Sequence, residues 1–310
     1  MSNGGTRIRT LVLLVTVAAA GCGDDSRSGS GLTVVATTTQ AADLARAVGG
    51  NRVHVDGMLP PGGDPHDYEP RPSDVEAVAG AAVVFRSGGE VDDWLADVID
   101  NAGGDAEVVS LIDSVNRLGD DPHWWQDATN GVRAVEAIRA ELSKADPEGR
   151  AEYTRNAART IRGLERLDQG ISACIERVPA AKRKIVTTHD ALGYFARRYG
   201  VHVVGAVIPS LSTQAQASAG DVQRLVEQIR REDVEAVFPE SSVNPDVERA
   251  IAREAGARIG DSLYADSLGP KGSPGETYAG ALAADAAALV RGMSGGRVNC
   301  DGALAASSGS

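Results

Sequence analysis

Aromatic side chains are scarce: three Phe, three Trp and six Tyr make up 4% of the 310 residues, so the core has to be built from Ala, Val, Leu and Ile. Cysteine is scarcer, with three copies, and none stands in a Cys-x-x-Cys or Cys-His spacing, which leaves a cysteine-built metal site without support. Positive charge is in deficit. Against 43 Asp and Glu stand 31 Lys and Arg, giving a net charge of -12 and a pI near 4.9. A surface this acidic repels phosphate backbones and argues against a nucleic-acid partner. Also missing are His-Glu-x-x-His, Gly-x-Ser-x-Gly, a Walker loop and a Gly-x-Gly-x-x-Gly following a strand. A Ser-His-Asp set can be assembled from any chain of this length and carries no weight without an elbow motif.

What is present describes a soluble globular protein, with 42% hydrophobic and 24% charged residues in a chain long enough for two domains at about 150 residues each. A one-module peptide or a zinc knuckle is excluded. Arg7 and Arg9 precede an apolar stretch at 11–20, and Gly21 and Cys22 follow; zones in that order are a secretory signal peptide over 1–21. A membrane-spanning helix needs about 20 apolar residues, and this run has half that. Ala19, Ala20 and Gly21 before Cys22 resemble the lipobox of bacterial lipoproteins, in which the Cys becomes the lipidated first residue; a free or disulfide-bonded Cys22 after ordinary cleavage is the alternative. Residues 22–31, rich in Ser and Gly, read as a flexible tether. Loss of 1–21 removes two Arg and no acid, taking the net charge from -12 to -14. In an oxidising location Cys174 and Cys300 could pair, or could be two separate buried thiols.

Short Val-rich runs at 32–38, 53–58 and 82–85 alternate with helical stretches at 41–48 and 73–79. The second half repeats the rhythm, with strands at 184–188, 201–207 and 235–238 and helices at 221–231, 246–255 and 278–292. This predicts an α/β fold of two lobes, each a mostly parallel sheet flanked by helices. Between them Asp146 can cap a helix, Pro147 suits its first position and Pro179 stops it. Ile161, Leu164, Ile171, Ile175 and Val178 fall on one face of that helix, which at about 30 residues would be about 45 Å long. The expected boundaries are a first lobe at 32–147, a connecting helix at 148–178, a second lobe at 179–300 and a disordered tail at 301–310. A continuous helix resists hinge bending, so the connection is expected to be stiff.

Five histidines are candidates for chemistry. His54 and His202 sit in Val-His-Val runs that read as strand positions. His66 and His123 each close an Asp-Pro-His triplet, where Pro stiffens the backbone and can present an imidazole from a loop with little entropy left to lose. Asp64 and Asp121 could then accept from a distal ring N–H, which fixes the tautomer and raises basicity. Two surface turns that happen to carry His would read the same way. His189 tips the balance, because it directly follows the strand at 184–188 and ligand sites in open α/β sheets form beyond the carboxyl ends of strands. Glu240 and Asp266 are the candidate carboxylates to complete the set. Three imidazoles and a carboxylate suit Zn²⁺, tolerate Mn²⁺ and are wrong for Ca²⁺.

Seven segments carry a resemblance that covers nearly the whole chain beyond the tether: DPHDYEPRPSDVEAVAGAAVVF from Asp64, DPHWW from Asp121, DPEGRAEYTRNA from Asp146, TTHDALGYFARRYGV from Thr187, PSLSTQAQAS from Pro209, FPESSVNP from Phe238 and LYADSLG from Leu263. In these the chain resembles the metal-binding lipoproteins of ABC-type importers, the cluster A-I solute-binding proteins for zinc and manganese. The resemblance implies two pseudo-symmetric lobes joined by one long helix, with ligands His66, His123, His189 and Asp266 and with Glu240 beside the site. The preference for Asp266 over Glu240 comes from the family. Two departures stand out. The His-rich acidic loop of many zinc members is absent between the first two ligand motifs, where residues 103–107 lie, and Gln126 and Ala128 replace the commoner Leu and Pro.

Manganese-selective members of that family tend to carry Glu at the third ligand position, so His189 favours zinc. The implied function is capture of Zn²⁺, or of Mn²⁺, outside the cytoplasmic membrane and delivery to an ABC permease. The protein would then be a monomer anchored by lipid to the outer face of that membrane, with no enzymatic role. A zinc hydrolase with Glu240 as general base and a surface adhesin are the alternatives, the first needing an open coordination position that four protein ligands do not leave.

Overall fold

The computed structural model of the chain describes residues 1–2 and 31–308, so the expected signal peptide beyond Ser2, Cys22 and the tether up to Ser30 lie outside the described residues. Gly31–Ser310 forms a compact unit by itself. It opens with β1 (Leu32–Ala36), whose alternation sends Val34 and Ala36 to one hydrophobic cluster and Val35 to another. The chain then runs through α1 (Thr39–Gly49), capped by the Thr38 hydroxyl, to β2 (Val53–Gly57), α2 (Pro72–Ala79), β3 (Val83–Arg86), α3 (Leu95–Ala102) and β4 (Glu107–Ser110). The four strands are parallel in the order β2-β1-β3-β4.

Two helices separate this sheet from the next: α4 (Ala128–Ala145), capped by Asp127, and α5 (Arg150–Glu176). The second sheet is built from β5 (Lys184–Thr187), β6 (His202–Ala206), β7 (Ala236–Phe238) and β8 (Arg258–Ile259), with α6 (Gly193–Tyr199), α7 (Ala219–Glu232) and α8 (Asp246–Ala255) between them. Its order, β6-β5-β7-β8, is that of the first sheet with every strand number raised by four, and it too is parallel. The two lobes are therefore topological copies. In each, the connection after the second strand crosses to the other side of the first, which opens a crevice at the carboxyl ends of the strands.

The strut between the lobes is α5, 27 residues and therefore about 40 Å long. Asp146 caps the 3-10 turn Pro147–Gly149 that leads into it, and Pro179 follows its end. Its buried face, including Leu164, Leu167, Ile171 and Ile175, joins α1, α4 and α9 (Tyr278–Met293) in one cluster that also takes Val34, Phe85, Ile185 and Phe238 from the two sheets. A continuous core under both lobes resists a wide clamshell motion, because opening it would expose large apolar area to water. The outer faces of the sheets have smaller clusters of their own, with Val78, Leu95 and Val98 on the first and Leu225, Ile229 and Ile251 on the second.

The chain end differs from expectation. In place of a disordered tail over 301–310, residues Asp301–Ser308 form α10. Three contacts hold it: Leu304 is buried, Arg291 Nη1 lies 2.7 Å from Asp301 Oδ1, and Cys300 is disulfide-bonded to Cys174 on α5, across 126 residues of sequence. No strand is expected from the sequence at 107–110 or 258–259, nor any helix at 128–145, yet β4, β8 and α4 occupy them. β4 and β8 are edge strands with exposed Val108 and Ile259, so neither carries the continuous apolar run that marks a central strand.

Candidate metal centre

Each candidate donor is fixed by its own neighbours before it meets the others. His66 sits in the 3-10 turn Pro65–Asp67, whose cap is Asp64: one carboxylate oxygen accepts from the His66 main-chain N–H at 2.9 Å and the other from Thr213 Oγ1 at 2.6 Å. Asp64, which could have held a ring N–H, has instead a main-chain N–H and a Thr hydroxyl as partners, so that its oxygens hold loops. Asp121 does meet a ring. Its Oδ1 accepts from the His123 main-chain N–H at 2.9 Å and lies 2.8 Å from His123 Nδ1. His189 stands two residues past the end of β5, with its carbonyl held by Thr187 Oγ1 at 2.7 Å and its Nδ1 2.9 Å from Glu240 Oε2. A carboxylate at Nδ1 keeps the proton there and leaves the Nε2 lone pair of His123 and of His189 directed inward.

Those nitrogens converge on Asp266. Its Oδ2 lies 3.2 Å from His66 Nε2 and 3.1 Å from His189 Nε2, its Oδ1 3.4 Å from His123 Nε2, and the Nε2 atoms of His123 and His189 are 3.3 Å apart. The four side chains are 2% exposed or less. Zinc held at 2.0 to 2.1 Å by four N and O donors has a tetrahedral edge of about 3.3 Å, the spacing seen in these pairs. One donor of each residue lies within 4.8 Å of all the others. Both oxygens of Asp266 and the Nε2 of His66 are buried without a hydrogen bond among the described residues. Buried polar atoms without partners are costly, so a convergent set of them suits a cation better than it suits an empty core.

The electrostatics separate the two carboxylates. Burial pushes Asp266 upward, but His189 and His123 outweigh it and hold its pKa well below the ordinary 3.8. Glu240 goes the other way, raised above 4.5 by burial and by the charge of Asp266, with His189 opposing. Burial alone would lower His189, yet Asp266 and Glu240 override it and hold the imidazole well above 6.5. Asp266 is thus the anion of the cluster, and Glu240 is the acid behind one of its imidazoles. His54 and His202 stay apart: His54 is 70% exposed and lies 3.0 Å from Asp56, and His202 is exposed at the start of β6.

Residues 34–292 match the family described as zinc-uptake complex component A, periplasmic. The chain belongs to this family. A manganese-binding lipoprotein, MntA, of Halalkalibacterium halodurans is 32% identical over 294 residues, which cover 92% of this chain and 97% of that one. A metal ABC transporter substrate-binding lipoprotein, SloC, of Streptococcus mutans is 30% identical over 287 residues, covering 87% and 93%. Among solved structures, the periplasmic zinc binding protein TroA from Treponema pallidum aligns with a TM-score of 0.79 at 28% identity, over 85% of this chain and 99% of that one.

The cluster also has supports that the sequence alone does not reveal. Trp125 Nε1 and Gln126 Nε2 both donate to the carbonyl of Ala265 at 2.7 Å, so the turn that carries His123 grips the residue before Asp266 across the lobes. Gly62, with φ of 78°, donates its N–H to Ser267 Oγ and to the Leu268 carbonyl, each at 2.9 Å, and Leu268 N–H donates to Thr39 Oγ1 at 2.8 Å. Asp285 on α9 accepts from Tyr264 N–H at 2.8 Å. Burial pushes that carboxyl up to about 8, with the Tyr264 N–H opposing and Glu240 adding to the rise. Gln126 is visible in the sequence as a departure from the family, but nothing local points to residue 265 as its partner.

Proposed function

We propose that His66, His123, His189 and Asp266 are the ligands of one divalent cation, Zn²⁺ in preference and Mn²⁺ as a second choice. The observation that carries the reading is the carboxylate of Asp266, sealed from solvent and without a hydrogen bond among the described residues, with three imidazole nitrogens 3.1 to 3.4 Å from its oxygens. Nitrogen-rich donor sets bind Zn²⁺ more strongly than Mn²⁺ in the general affinity order. The relatives' names include both metals, so availability outside the cell decides with affinity.

The ion is cargo. The protein binds it outside the cytoplasmic membrane and hands it to the permease of an ABC importer, as a monomer held by lipid on Cys22. Asp121 and Glu240 keep the His123 and His189 tautomers ready, and no bond is broken. Release is local: the Thr213 to Asp64 and Gly62 to Ser267 bonds join loops over the ligands, whereas α5 and its core stay closed. A hydrolase would need substrate room, and the cavity beside His189 and Glu240 has about 10 Å³, space for about one water. Competitive titration of the metal-free protein with Zn²⁺ and Mn²⁺ is the test, with one equivalent bound and Zn²⁺ tighter as the expected result. Cys22→Ser is expected to abolish membrane retention that survives a high-salt wash, and unchanged retention after that wash would reject the lipid anchor.

A further inference from the structure

The outward face of α5 carries Arg155, Arg159, Arg162 and Arg166, all exposed. At about 100° per residue the four fall within a sector of about 60°, in a line about 16 Å long. Some exposed arginines elsewhere are paired with acids, as Arg117 with Asp113, Arg224 with Asp221 and Arg249 with Asp246, while others such as Arg133 and Arg253 stand singly without an ion pair among the described residues; on α5 four stand in one line. The four on α5 make no ion pair among the described residues. Arg159 donates to Asn156 Oδ1, and Glu152 and Glu165 lie to either side of the line. Along the line the i,i+3 and i,i+4 neighbours are like charges, Arg155 with Arg159, Arg159 with Arg162 and Arg162 with Arg166, although Glu152 and Glu165 stand three residues from Arg155 and Arg162. Such spacings weaken a helix unless something else compensates. On a chain of net charge -12 this stripe is a local reversal of sign.

We infer that this stripe docks on the anionic phosphate headgroups of the membrane to which the chain is tethered. The inference rests on the lipoprotein reading given above. Two further observations favour a bilayer. The described fold begins at Gly31, so about nine residues separate it from Cys22, and such a tether reaches about 30 Å at full extension. Gly31 lies against the Arg52 carbonyl, and Gly50, two residues before Arg52, lies against Glu152 and Asn156 of α5. The tether therefore enters the fold beside the end of α5 where the stripe begins. A straight helix with guanidiniums in line fits a planar array of phosphates, and tethering raises the effective concentration of a weak contact.

Both ends of α5 meet the amino ends of strands. Asn156 bonds the Val48 carbonyl near the start of β2, and Arg183, just before β5, bonds the Val178 carbonyl. The ligands lie at the opposite, carboxyl ends. Docking through α5 turns the metal site away from the bilayer and toward incoming ions, and delivery then requires the molecule to let go and turn over.

The test uses the chain from residue 22 with Cys22→Ser, so that no acyl group assists. Sedimentation with vesicles of phosphatidylcholine and of phosphatidylcholine mixed with phosphatidylglycerol should show retention on the mixed vesicles alone, reversed by salt. Arg155→Glu, Arg162→Glu and Arg166→Glu together should lower retention about tenfold or more. The same three changed to Lys should keep it, as should Arg133→Glu, Arg231→Glu and Arg253→Glu together, three exposed arginines on α4, α7 and α8. Equal retention on neutral vesicles, or an equal loss in the second Glu triple, overturns the proposal. So does binding to soluble polyphosphate without retention on vesicles. Zinc binding by the same samples is measured separately, which distinguishes a failed metal site from a failed lipid surface.

Discussion

The two lobes have the same strand order and face each other with unlike chemistry. The first contributes His66 from the loop after β2 and His123 from the loop after β4, and its acids Asp64 and Asp121 are occupied with main-chain groups, a Thr hydroxyl and one ring nitrogen. The second contributes His189 two residues after β5 and Asp266 after β8, with Glu240 behind them and Asp285 beneath. Duplicated topology has thus been given divided labour: two imidazoles on rigid turns on one side, one imidazole and the buried Asp266 carboxylate on the other. A site split in this way is complete only when both lobes are in register, which is what the bonds from Trp125 and Gln126 to Ala265 enforce.

Removing the charge should break this division most severely. Asp266→Asn is expected to reduce zinc affinity by orders of magnitude, as is Ala at His66, His123 or His189, whereas Glu240→Gln should cost about 10- to 100-fold because it acts through His189. Calorimetric zinc titration decides, and a larger loss in Glu240→Gln would reverse the assignment of the two acids. Protons compete for His189, whose pKa is raised, so affinity should begin to fall at a pH above 6.5 as the solution is acidified. In the metal-free protein the sign is opposite. The stability that His189 lends is present below its unfolded value of about 6.5 and is lost as pH rises through its higher folded value.

The staple under the second lobe comes next. Cys300→Ser frees α10 from α5 and should lower stability by up to about 4 to 5 kcal/mol, the chain-entropy ceiling for a loop of this size. Chemical denaturation with and without reductant measures it. Asp285 offers a test of burial in the same lobe. Its folded pKa of about 8 exceeds the ordinary 3.8, so its contribution is fully present below about 4 and declines as pH rises toward 8. Asp285→Asn keeps the acceptor for Tyr264 and should remove that decline, giving a protein more stable than the parent by a few kcal/mol at about pH 8 and little changed at about pH 4. Thermal melts across that range would show the two curves diverging, and parallel curves would refute the buried neutral acid.

The smallest effects should come from the clamp between the lobes. Trp125→Phe loses a buried hydrogen bond and should cost about 1 to 2 kcal/mol. Gln126→Leu loses one as well but also removes an Oε1 that is buried without a partner, so its net effect should stay within about 1 kcal/mol. His54→Ala and His202→Ala should leave zinc affinity unchanged.

Much of this was legible along the chain. Alternating Val-rich runs and amphipathic stretches gave the two α/β lobes, the periodic Ile and Leu of 161–178 gave the strut, and His189 announced itself by its place at a strand end. The choice between Glu240 and Asp266 was not legible from spacing. β8 has two residues, too short to mark the end beyond which Asp266 stands, while β7 is apolar and points to Glu240. α4 escaped because its exposed Arg, Glu and Lys dilute the buried Ala134, Val135, Ile138 and Leu142. α10 escaped because its order comes from Cys174, far away in sequence. The clamp on Ala265 is 139 residues from Gln126, and no window along the chain contains both.

The four candidate donors are spread from position 66 to position 266, with four of the eight described strands and the helices α4 to α8 between the first pair and the last residue. A chain made amino end first has three imidazoles before it has its carboxylate, and they stand on loops that only finished sheets bring together. A cation cannot therefore serve as a nucleus around which the early chain condenses, as it does in small domains whose ligands lie close in sequence. Assembly comes first and occupancy last, so a half-made molecule has no means of sequestering the ion it is destined to carry.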